Sequence, residues 1–126
     1  MTRGKGLTEA RIDAVDERAR RIGRNEALFR EVNERIERVT QSLQVASETM
    51  SILCECGDQT CAAQIEVAIS EYERVRKEST LFFVCSGHEK PDVEDIVEQQ
   101  PGYDVVRKRE GPAAEMAREL DPRDDD

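Results

Sequence analysis

The stretch "LCECGDQTCAAQ" puts three of the chain's four cysteines, Cys54, Cys56 and Cys61, into eight residues. No other feature limits the fold as much. In a reducing compartment, clustered cysteines read as metal-binding or reactive rather than as disulfides. In an extended strand, residues i and i+2 face one side, so the Cys54 and Cys56 thiolates converge. Gly57 and Asp58 let the chain turn back and deliver Cys61 to the same point. Thiolates at this density repel one another and raise one another's pKa. Zinc removes that cost and asks for four ligands in a tetrahedron.

The fourth ligand has two candidates, both in "FVCSGHEK": Cys85 and His88. His88 is preferred. It is the only histidine, and it follows Gly87 in a loop that can swing an imidazole onto a metal. Cys85 continues the apolar run "LFFVC" and reads as a small buried residue, so it is the alternative ligand. An iron–sulfur cluster would instead take all four cysteines. One Zn2+ per chain is the expected cofactor.

A metal also suits a lean composition. The chain has 126 residues, no Trp, 4% aromatics, and equal shares, 37%, of hydrophobic and charged residues. Small domains with thin cores often need a metal or a disulfide. The net charge of −9 opposes a general affinity for phosphate backbones, and no nucleic-acid partner is expected. The charge is uneven. Residues 1–24 carry seven Lys/Arg against four Asp/Glu, or +3, and the remainder carries −12. The basic start reads as a solvated helix face. It has no apolar core of a signal peptide, and no apolar stretch is long enough for a bilayer. The expected location is the cytoplasm, with no membrane partner.

The pattern predicts an α+β chain: a long N-terminal helix, then a small zinc-stabilised domain with a mixed sheet. Residues 1–7 form a disordered start. Residues 8–46 are helical, capped by Thr8, with Glu9 and Asp13 favouring the positive end of the dipole. Ile12, Val15, Ala19 and Ile22, then Phe29, Val32, Ile36, Val39, Leu43 and Ala46, make one apolar stripe. Gly23 and Asn25 mark either a hinge between two helices or a stammer in one. The second half, Phe29 to Leu43, is expected to pack on the domain, leaving the first half for another copy or a protein partner.

Residues 51–110 read as a compact unit of β-β-α-β-α-β order. "MSILCE" and "QIEVAI" are strands, with Ile65, Val67 and Ile69 on one face. Ser70 and Glu73 make a capping box for "EYERVRKE". "TLFFVC" is a central strand, "PDVEDIVEQQ" a helix opened by Pro91, and "YDVVRK" the last strand, after a Pro101-Gly102 turn. Residues 111–126 form an acidic, mostly disordered tail with one or two helical turns around Met116.

The segments "RNEALFREVNERIE", "CECGDQTC", "EYERVR", "GHEKPDVEDIVEQQPGYDVV" and "ELDPR" resemble a group of small, uncharacterised bacterial proteins, mainly actinobacterial. Its members pair an N-E-A-x-F-R-E-V-N-x-R-I helix with a C-E-C-x4-C cluster and a later G-H-E. The likeness spans about residues 24–123. It carries the cluster onto Cys54, Cys56 and Cys61 and the histidine onto His88. The group has a small apolar residue where this chain has Cys85, which implies that His88 is the ligand and Cys85 is core. The resemblance implies no activity.

A catalytic zinc keeps a position open for water and favours His and carboxylate ligands. Three thiolates make a poor Lewis acid, and the zinc-deaminase H-x-E with P-C-x-x-C is absent. There is no second histidine, G-x-S-x-G, Walker loop or dinucleotide fingerprint. The expected function is therefore non-enzymatic: a structural-zinc adaptor or regulatory interaction module. A zinc-thiolate redox switch, with Cys85 as resolving thiol, is the alternative. A metal-dependent hydrolase using Glu89 as base is the second alternative.

Overall fold

The structure is a computed structural model that describes residues 3–42 and 48–123, with side chains from residue 14. The protein is α+β. Helix α1 (Arg3–Ser42) is followed by β1 (Thr49–Leu53), β2 (Gln64–Ala68), α2 (Ile69–Arg76), β3 (Leu81–Cys85), β4 (Glu94–Gln100), β5 (Tyr103–Lys108) and α3 (Pro112–Glu119). Both sheets are antiparallel rather than mixed: β1 with β2, and a three-stranded sheet of order β3-β5-β4.

Helix α1 runs without a break for 40 residues, about 60 Å at 1.5 Å per residue. It begins ahead of Thr8, inside the segment expected to be disordered. Leu43 and Ala46 lie outside the described residues. Gly23 is not a hinge. A Cβ there would come 2.9 Å from Met116 Cβ and 3.2 Å from the Ala113 backbone, so its missing side chain lets α1 and α3 approach closely.

The helix face that meets the domain matches the predicted stripe only at Ala19 and Ile22, which belong to the half expected to be left for a partner. Ala19, Ile22 and Ala27 are buried, but so are Glu26, Arg30, Asn33, Glu34 and Glu37. Phe29, Val32 and Ile36 are only half-buried on the flank, while Leu28 and Val39 are 54% and 56% exposed. Each polar residue on the inner face has a distant partner. Arg30 donates to the Ser79 and Ala117 carbonyls at 2.6 and 2.8 Å and lies over the Phe82 ring. Glu34 accepts from the Tyr72 hydroxyl at 2.7 Å, and Glu34 and Glu37 both meet Arg123. Buried polar groups are tolerated when they are paired in this way.

Strands β1 and β2 alternate as expected. Met50, Ile52, Ile65 and Val67 point into the core, while Thr49 and Ser51 hydrogen-bond Glu66 across the outer face. Helix α2 starts at Ile69, with Ala68 as N-cap and no side-chain cap, so the Ser70–Glu73 capping box does not form. Strand β3 is buried on both faces, as its apolar run implies, but β5 holds the central place. The Tyr72 and Phe83 rings stack at 5.6 Å, with Tyr103 edge-on at 5.7 Å, in the middle of the core.

The segment expected as a second helix is a strand. Pro91 sits in a turn in which Val93 and Glu94 donate to the Lys90 carbonyl, and β4 follows. Its Val93, Ile96 and Val97 mimic helical spacing. A bulge between Ile96 and Glu98 accommodates the irregular pattern, and the Pro101-Gly102 turn, with Gly102 at φ +90°, folds β4 back on β5. The tail is also more ordered than expected: α3 buries Ala113, Ala114 and Ala117.

Candidate metal centre

Three elements meet at the cysteine cluster. Cys54 extends the β1–β2 ladder by donating to the Ala63 carbonyl at 2.9 Å. Glu55 then donates to the Phe83 carbonyl at 2.8 Å, so the chain passes from one sheet to the edge of the other. Gly57, at φ +83°, starts the reversal. Asp58 holds it, with its side chain accepting from the Thr60 amide and hydroxyl and its carbonyl from the Cys61 amide. From the far side, Gly87 at φ +87° and a bond from the His88 amide to the Cys85 carbonyl turn the loop after β3 inward.

These turns bring Cys54, Cys56, Cys61 and His88 into one group whose ligand atoms all lie within 4.8 Å of one another, a set that could hold a metal ion. The Sγ atoms of Cys54 and Cys61 are 3.6 and 3.7 Å from His88 Nδ1. Zinc bonds of about 2.3 Å to sulfur and about 2.0 Å to nitrogen give tetrahedral edges of ~3.8 Å between sulfurs and ~3.6 Å from sulfur to nitrogen. The donor set and its spacing therefore fit a four-coordinate ion. Cys54 and Cys56 are buried, Cys61 is partly buried and His88 is exposed.

Burial pushes the Cys54 thiol far up, against the Cys85 amide that donates to its Sγ at 3.2 Å. Burial also raises Cys56, against a backbone hydrogen bond at Asp58. Bare, these two groups are thiols at neutral pH; a bound cation is what would make them thiolates. Cys85 lies outside the group of four. It ends β3 opposite Tyr103 and packs partly on the core.

Glu55, between Cys54 and Cys56, does not face solvent. It is 0% exposed. Its carboxylate accepts from Arg76 and Asn33, each at 2.6 Å, and from the Phe83 amide at 3.0 Å. Burial disfavours the Arg76 charge, but the Glu55 carboxylate outweighs it and leaves its pKa raised. Asn33 lies in "RNEALFREVNERIE" and Arg76 in "EYERVR", but no spacing along the chain joins either to the cysteines; their placement in space does.

Among the described residues, no helix is long and apolar enough to cross a membrane. Comparison with protein-family models, curated proteins and solved structures finds no match.

Proposed function

We propose that this chain is a zinc protein of the reducing cytoplasm. One Zn2+ is held by Cys54, Cys56, Cys61 and His88, its role is structural, and the chain acts as an adaptor or regulatory interaction module without catalytic activity. The observation that carries this reading is the Cys3His set with ligand atoms within 4.8 Å, drawn from two segments 27 residues apart at the closest, Cys61 and His88. Bound there, zinc supplies a cross-link between the β1–β2 loop and the end of β3. Three thiolates and an imidazole fill a tetrahedron and leave no position for water, which favours structure over hydrolysis. Helix α1 is the contact element, toward a protein partner or a second copy. Its outward row of Leu28, Phe29, Val32, Ile36 and Val39 supports this, because it is apolar and not used by the core.

Native mass spectrometry of protein purified under reducing conditions tests the assignment, joined to a chelator titration followed by circular dichroism. One zinc per chain, with β signal lost on chelation, is the expected result. A metal-free chain with a native spectrum would overturn it. Exchangeable water on the cobalt-substituted protein would move the reading to the hydrolase.

A further inference from the structure

The loop that carries the ligands is also part of the surface on which α1 rests. The residues of this loop alternate. Cys54 and Cys56 turn to the ligand group, while Glu55, Gly57 and Gln59, together with the Leu53 backbone, meet the helix. The contacts are specific. Asn33 Oδ1 accepts from the Leu53 amide at 2.8 Å, and Asn33 Nδ2 donates to the Leu53 carbonyl at 2.9 Å and to Glu55 at 2.6 Å. One side-chain amide thus pairs with both residues that flank Cys54. A Cβ on Gly57 would come 2.9 Å from Glu26 Cγ and 3.4 Å from the Ile22 carbonyl, so the helix touches the backbone directly after Cys56. Gln59 Nε2 reaches Asn25 Oδ1 at 3.4 Å.

We propose that Asn33 is a positioning residue for the metal centre, and that through it metal binding and the docking of α1 are reciprocally coupled. The inference rests on the zinc reading above and adds its regulation. A group that holds the loop in its ligating shape tightens the metal, and by linkage the metal tightens the helix. The inner face of α1 suits a helix that leaves. Glu26, Arg30, Asn33, Glu34 and Glu37 are groups that water solvates well, so an undocked α1 stays soluble. Metal loss would then be read out as release of α1.

The test is zinc affinity of the full chain by chelator competition, for wild type, Asn33→Ala, Asn33→Asp and Val75→Ala. Val75 is buried in α2 and is not a ligand, so its variant reports general loss of stability. Asn33→Ala is expected to weaken zinc by about 10–100-fold, with the cobalt-thiolate absorption bands unchanged because the ligands are intact. Asn33→Asp is expected to weaken it further, since it sets a second carboxylate against Glu55. Affinity within about twofold of wild type for Asn33→Ala, or equal losses in Val75→Ala, would overturn the proposal. A second measurement needs no variant. Hydrogen exchange of wild type should show α1 amides of residues 26–37 gaining protection with zinc; protection confined to residues 53–61 would overturn the coupling. Wild type that binds no metal would instead defeat the zinc reading itself.

Discussion

Lys108 shows how single residues set the limits of this fold. Its ammonium lies in the interior, in contact with both Glu26 and Glu94, and all three side chains are fully buried. One ammonium neutralises one carboxylate. Burial pushes the Glu26 pKa well above its ordinary 4.5; Lys108 opposes that rise and Glu94 adds to it. In the folded state Glu26 keeps its proton at pH values where the unfolded chain has lost it. The stability this contributes is complete below the ordinary value and is lost as pH rises through the raised one. Glu26→Gln keeps the shape and removes the ionisation. Unfolding free energies from urea titrations between about pH 5 and pH 8 should fall less steeply with pH in the variant. Parallel curves would show that Glu26 is ionised in the folded protein.

At the level of elements, α1 carries two rows, and the chain uses the one that hydropathy ignores. Apolar periodicity located the helix correctly but chose Phe29, Val32, Ile36 and Val39 as the inner face. Glu26, Arg30, Asn33 and Glu37 take that place because Lys108, Ser79, Ala117, Leu53 and Arg123 complete them. Such pairings span up to 87 residues and leave no periodic trace. The β4 segment fails for a related reason. Its acidic, helix-like composition is overruled by a hairpin partner and by the Lys108–Glu94 contact. Gly23 gives a test at this level. An exposed mid-helix Gly→Ala change gains about 1 kcal/mol of propensity. Here the added Cβ meets Met116 Cβ and the Ala113 backbone, neither of which is a flexible side-chain end. Overpacking of about 1–3 kcal/mol should win, so Gly23→Ala is expected to lower the urea midpoint. A raised midpoint would mean that α3 moves away at little cost.

At the scale of the whole molecule, the segment after α3 is tied back to the second half of α1 and to α2. Arg123, after α3, returns to α1 and gives its guanidinium to Glu34, Glu37 and Glu73. Burial works against ionised Glu34, but Arg123 and the Tyr72 hydroxyl hold its carboxyl below the ordinary range. A depressed carboxyl stabilises above its ordinary pKa, and that stability is lost as pH falls through the folded value. Arg123→Ala leaves two nearly buried carboxylates without this partner. It should cost about 1–3 kcal/mol at pH 7 by thermal unfolding, with the deficit fading in acid. An unchanged melting temperature would mean that the tail only rests on the fold.

By itself, the sequence determined the class, the long helix, four of the five strands and three of the residues that converge, with His88 preferred to Cys85 as the fourth. Cys54, Cys56 and Cys61 are close in the chain, and Gly87 marks the loop that presents His88, so their chemistry is local and legible. It also determined that Cys54 and Cys56 share one side of the chain and Glu55 the other. Only the tertiary structure decided what covers that other side. Solvent was the natural expectation for a glutamate; α1 and Arg76 are what lie there. The physical reason is that a buried charge is stable only with a partner, and a partner brought in from another element has no signature in the residues beside it.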